Sequence, residues 1–174
     1  MVKKKGTISG IYENEFVIIG IACHDHDYRL AHFLNKISNF NFIRYNDLMV
    51  YQKNNDNPLG FQFYYFDDTE NCTNYHFIAN RGTEGFLINE WNKIDYLLIV
   101  FGSIKKNNLK PIIKQIRKAP IVIAVQEMLI TKKIEIDNLM TDLELHIIEI
   151  FKKEKEEQQK QKNKLKIQNS AFQH

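Results

Sequence analysis

From Ile94 to Phe101 the chain reads Ile-Asp-Tyr-Leu-Leu-Ile-Val-Phe, a nearly unbroken apolar run whose single charge, Asp95, stands at its entrance. A strand that is apolar at successive positions buries both of its faces, so it belongs inside a sheet covered on both sides. Two more runs of this kind, Phe16–Cys23 and Ile121–Val125, are expected beside it. Phe42–Tyr51, Gly60–Phe66 and Tyr75–Ala79 are also strand-like, rich in Phe, Tyr, Ile and Val. The turn-residue loops 53–58 and 67–74 between them make hairpins the economical connections.

Helices fill the remaining gaps. Leu30, Phe33, Leu34 and Ile37 form one stripe of a helix over Tyr28–Ile37, with Asp25 or Asp27 as its N-cap and Ser38-Asn39 as its stop. Asn108 is a cap candidate for a second helix with the stripe Leu109, Ile112, Ile113, Ile116; Pro111 is tolerated in its first turn and Pro120 ends it. The order β-α-β-β-β-β-α-β predicts an α+β fold: an antiparallel sheet of about six strands with two helices on one face, a ferredoxin-like plan with an added hairpin. Right-handed crossovers and short hairpins give the strand order 6-1-5-4-3-2. Ile136, Met140, Leu143, Ile147 and Ile150 predict a C-terminal helix over 131–151. It is expected to cover the open, aromatic face of the sheet; pairing with a second copy in a homodimer is the other way to bury that face.

Charge divides the chain into parts. The net charge is +3, yet Lys3, Lys4 and Lys5 carry +3 and the stretch Lys152 to Lys166 carries +4, which leaves −4 for residues 6–151. The expected organisation is a basic tail (1–10), the α+β domain (11–130), the helix (131–151) and a basic low-complexity tail (152–174) that is disordered or a frayed helix. Basic tails attract RNA or another polyanion, although a composition rich in Lys, Asn and Ile accounts for them as well. No stretch approaches the length of a membrane span, and Met1–Thr7 is not followed by the apolar run of a signal peptide. A cytoplasmic protein is expected. Cys23 and Cys72, without Cys-x-x-Cys spacing, fit a reducing compartment.

One motif stands out: Ile88-x-Glu90-x-x-x-Ile94-Asp95-Tyr96. It resembles the motif Ile-Pro-Glu-x-x-x-Val-Asp-Tyr that names the bacterial IPExxxVDY family, with Asn89 in place of Pro and Ile94 in place of Val. The stretch Ile-Gly-Ile-x-x-His-x-x-Asp-Tyr-Arg-Leu, Ile19 to Leu30, is similar to the same family's N-terminal pattern. The resemblance spans about residues 10–130. The family is known by its motif rather than by an activity, so the resemblance implies no reaction.

Antiparallel pairing of the first and fifth strands brings the two motif stretches to one edge. The candidate binding edge is therefore His24, Asp27, Tyr28, Arg29, Glu90 and Asp95, and Arg29 is expected to pair with Asp95 or Glu90 in a bidentate contact that Lys cannot copy. His24 and His26, beside Cys23, Asp25 and Asp27, have ligand chemistry but no second ligand pair at a diagnostic spacing, so no metal is expected. Glu90 and Asp95 suit acid–base work, but no nucleophile elbow, phosphate-binding glycine loop or dinucleotide fingerprint accompanies them, and no cofactor is expected. Leu59–Phe66 echoes the aromatic strand of RNA-recognition motifs, with Leu59 and Gln62 as departures. The sequence thus favours a non-catalytic cytoplasmic module that binds a protein partner. RNA or ribosome association through the basic tails comes second, and a small enzyme with a site near Asp27, Arg29, Glu90 and Asp95 third.

Overall fold

The computed structural model describes residues 16–38, 40–52, 57–102 and 106–171. Lys3, Lys4, Lys5 and most of the first hairpin loop lie outside the described residues. The elements in order are β1 (Phe16–Ala22), α1 (Asp27–Ser38), β2 (Ile43–Val50), β3 (Leu59–Asp68), β4 (Thr73–Ala79), a 3-10 turn (Asn89–Trp91), β5 (Tyr96–Gly102), α2 (Lys106–Ile116), β6 (Ala124–Glu127) and α3 (Lys133–Ala171). The sheet is antiparallel with the order β2-β3-β4-β5-β1-β6, so β5 is an interior strand paired with β4 and β1. Leu97, Leu98, Ile99 and Val100 are wholly buried. Alternate residues point to opposite faces and both faces are covered, which is why the run is apolar without alternation.

On one face α1 and α2 set Leu30, Leu34, Leu109 and Ile116 against Ile19, Ile21, Phe77, Leu98 and Val100. On the other, α3 sets Ile136, Leu139, Met140, Leu143 and Ile150 against Ile18, Phe63, Tyr65, Ile78, Leu97 and Ile99. The helix therefore covers the sheet of its own chain. Gly102 closes β5 at φ +119, and a side chain there would run into the Cys72 carbonyl.

Several boundaries differ from expectation. The last strand is Ala124–Glu127, not Ile121–Val125. Val122 closes a turn onto Ala119, Ile121 and Val122 pack under the helices, and pairing with β1 begins only where Ile123 N–H reaches Ala22 C=O at 2.9 Å. Apolar character there serves the core, not the ladder. Helix α2 begins at Lys106, so Asn108 is inside it and Pro111 falls in its second turn. Asp27 is not the cap of α1 either; the first helical N–H groups are received by the His26 carbonyl, and Asp27 accepts the Tyr64 hydroxyl at 2.8 Å. Past residue 151, where the alternatives are a disordered tail and a frayed helix, the chain is helical: α3 continues to Ala171. The Lys, Glu and Gln residues there are good helix formers, and neither Gly nor Pro interrupts them. Apart from half-buried Glu154, the side chains of 152–163 are exposed.

Candidate functional site

The motif residues form a clasp. Ile88 and Ile94 are buried under α3, with the 3-10 turn between them. Asp95 Oδ2 accepts the Cys23 backbone N–H at 2.9 Å, and the Tyr96 hydroxyl donates to the Asp25 carbonyl at 2.6 Å. Glu90 leaves in the other direction, to Lys132 Nζ at 2.9 Å and the Thr131 hydroxyl at 3.0 Å, just ahead of α3. The Lys132 ammonium holds the Glu90 carboxyl below the usual range. One loop thus ties the end of β1 to the start of the helix that covers the sheet.

Asn80, which sequence reasoning passed over, holds that clasp. Its amide Nδ2 donates to the carbonyls of Trp91 and Ile94, both at 2.9 Å, and its Oδ1 accepts Ile88 N–H at 2.9 Å. Its backbone N–H meets Asp95 C=O and its own C=O receives Leu87 N–H, each at 2.8 Å. The side chain is fully buried, and the bonds offset the cost of taking a polar amide out of water. The only signal in the sequence is its position, one residue past an apolar strand and eight before the motif.

The predicted edge is brought together only in part. His24, Asp27 and Asp95 line a polar cleft of about 260 Å³ at the end of β1, together with Cys23, Asp25, Arg81 and Tyr96. Tyr28, Arg29 and Glu90 are not among its walls. Arg29 pairs with Asp25 at 2.7 Å rather than with Asp95 or Glu90, because one helical turn places Asp25 within its reach. Asp95 meets Arg81 instead, at 3.8 Å. Exposed Tyr28 stacks on His26 with ring centroids 5.6 Å apart.

The carboxylates of this cleft are already committed. Asp25 is held by Arg29, Asp27 by the Tyr64 hydroxyl and Asp95 by the Cys23 amide. Burial pushes the Cys23 thiol up, away from the thiolate a nucleophile needs, and pushes the Tyr64 and Tyr96 hydroxyls well above the phenolic range. Among the described residues no three His, Cys, Asp or Glu side chains gather where they could hold a metal ion. The aromatic strand offers no platform for bases: Phe61, Phe63 and Tyr65 lie under α3, and Tyr64 is buried on the opposite face.

A different surface carries exposed apolar groups. Where α3 crosses the outer strand β2, Tyr51 and Ile134 (each 74% exposed), Leu145 (57%) and Met49 (49%) line two adjoining grooves. The grooves share Tyr51 and Asp142, so they form one seam of about 340 and 440 Å³. Glu135, Asp142 and Glu149 rim it on the helix and Asp47 on the strand, against the single cation Lys153. The helix is tied to β2 here by contacts of His146 Nε2 with the Asn46 carbonyl and of the Tyr45 hydroxyl with Glu154, each 3.1 Å.

No helix among the described residues is long and apolar enough to cross a membrane. Comparison of the chain with protein-family models, with curated proteins and with solved structures gives no match.

Proposed function

We propose that this protein is a non-catalytic cytoplasmic binding module whose partner is an amphipathic protein segment seated in the seam between β2 and α3. One observation carries this: four large apolar side chains, each about half exposed or more, line a continuous groove rimmed mainly by carboxylates. Single exposed hydrophobics need no explanation, but a contiguous set with a polar rim marks an interaction surface. A helix or strand with apolar anchors and flanking Lys or Arg fits both the groove and its charge. The likeness to the IPExxxVDY family belongs to the same proposal. The motif residues have structural work in the clasp, and the polar cleft beside them has its carboxylates engaged, which favours binding over catalysis.

The second reading, attachment to RNA or ribosomes, draws on exposed Lys152, Lys153, Lys155, Lys160 and Lys162 along the continuation of α3. One experiment separates the two. Tagged protein, and its Tyr51→Asp and Leu145→Glu variants, are used to retrieve partners from the source cells at low and high salt. A protein that both variants lose, at unchanged melting temperature, supports the seam. Retrieval of nucleic acid that survives both variants, and falls steeply with salt and on deleting residues 152–174, supports the helix lysines and overturns the seam.

A further inference from the structure

The flank of α3 that lines the seam changes sign along its length. Ile134, Asp142, Leu145, Glu149 and Lys153 follow one another along it, three, four or eight residues apart. A further groove of about 800 Å³ shares Asp47 and Lys153 with the seam and carries it on to Glu157. Residues 134 to 157 of a helix span about 35 Å, the length of another helix rather than of a small molecule. A separate cleft of about 290 Å³ on the opposite flank, beside β4 and β5, spans only residues 140–148 of the helix.

At the same helical spacing the seam flank goes on through Glu156, Lys160, Lys164 and Ile167, all within α3. Its first half is acidic, through Glu135, Asp142 and Glu149, and its second half is mainly basic, through Lys153, Lys160 and Lys164. Glu149, Lys153, Glu156 and Lys160 are exposed, and among the described residues none of them is in an ion pair. A chain cannot lay its basic half over its own seam. The helix is unbroken, and Lys160 stands about 16 Å beyond Glu149 along the axis.

We propose, on the basis of the seam reading above, that the segment seated in the seam is the C-terminal half of α3 from a second copy of this chain. The two helices pack antiparallel about a two-fold axis near residues 154–155. This axis sets Lys153 opposite the second copy's Glu156 and Glu149 opposite its Lys160, and symmetry makes each contact twice. Position 167 of one copy then falls beside the stretch 142–145 of the other, where Leu145 is exposed. A parallel pair would set Glu149 against Glu149 and Lys160 against Lys160. Facing charges of this kind fix the orientation of paired helices.

The test uses the full chain, purified free of nucleic acid, in sedimentation equilibrium at rising salt. A monomer–dimer equilibrium that weakens with salt is expected. Glu149→Lys and Lys160→Glu should each weaken it about tenfold or more, because each puts like charges face to face at two places. Both positions are exposed on a helix, so the melting temperature should stay unchanged. Mixing the two variants should restore the dimer, since both facing pairs then join opposite charges. A chain that stays monomeric to about 300 µM, a dimer that neither reversal weakens, or a mixture that stays monomeric would each overturn the pairing. A monomeric chain whose Tyr51→Asp and Leu145→Glu variants still lose a cellular protein overturns the second copy but keeps the seam, so the two failures are told apart.

Discussion

The face of the sheet beneath α1 and α2 and the face beneath α3 are built from the same six strands but sealed differently. Two short helices close the first over Phe77, Leu98 and Val100, and its polar groups are tied at the margin: Tyr64 to Asp27, Tyr96 to the Asp25 carbonyl. One long helix crosses the second and leaves open space along both of its flanks, the seam on the β2 side and the cleft along β4 and β5. Two polar side chains, Asn80 and His76, are buried on that face. Asn80 makes three side-chain bonds, while His76 has an orphaned Nδ1. A single rod cannot cover a twisted sheet evenly. The proposed binding surface lies where cover is incomplete.

The largest expected effect tests the closed face. Leu98→Ala should destabilise by about 4 kcal/mol in urea titrations, the upper part of the range for buried leucines, because two helices and a two-sided sheet prevent collapse around the cavity. Leu143→Ala, equally buried but on α3 beside the open cleft, should cost about 2 kcal/mol, since one helix can settle into the space. A cost for Leu143 equal to or above that for Leu98 would remove the distinction between the faces.

Next in size is the clasp. Asn80→Ala strands the carbonyls of Trp91 and Ile94 and the amide of Ile88, and should cost about 3 kcal/mol. The loss should appear as early hydrogen exchange in residues 88–95. A cost below about 1 kcal/mol would show that the loop is held by its apolar residues alone.

His76 gives a pH-dependent effect, smaller per pH unit than either of these. Its folded pKa is about 3, below the ordinary value of 6.5. Between those values the unfolded chain binds a proton that the folded chain refuses. The stability contributed by the neutral ring is therefore complete above about pH 6.5 and lost as pH falls towards 3, by at most about 1.4 kcal/mol per pH unit. Wild type should lose stability faster than His76→Phe over this window, and parallel pH profiles would contradict the buried, neutral ring.

The strand order was legible because continuous apolar runs mark two-sided burial, and three of them fell where short connections could bring them together. The helix stripes of α1, α2 and α3 were legible for the same reason: burial repeats with the helical period. The run at 121–125 misled because apolar residues serve a turn packed under helices as well as a strand, and periodicity over three residues does not tell them apart. Asn80 was hidden because an Asn after a strand ordinarily signals a turn; its bonds reach eight to fourteen residues along the chain. The seam could not be read at all, since it depends on how α3 crosses β2, which the spacing of residues within each element does not encode.

The smallest effect concerns Arg29. The sequence pointed to a bidentate contact with Asp95 or Glu90 that Arg29→Lys would damage. In the fold its partner is Asp25, one turn back, and about half of the Arg29 side chain faces water. A solvent-facing pair one helical turn apart contributes little, because water screens it and two flexible side chains must be held still. Arg29→Lys should therefore change stability by no more than about 0.5 kcal/mol, since a lysine still reaches Asp25. Urea titration of this variant beside Asn80→Ala sharpens the contrast between the faces. On the closed face charge stays at the margin and is cheap to alter, whereas on the other a polar side chain is part of the interior. A loss above about 1 kcal/mol for Arg29→Lys would place a structural brace at the start of α1 and undo that contrast.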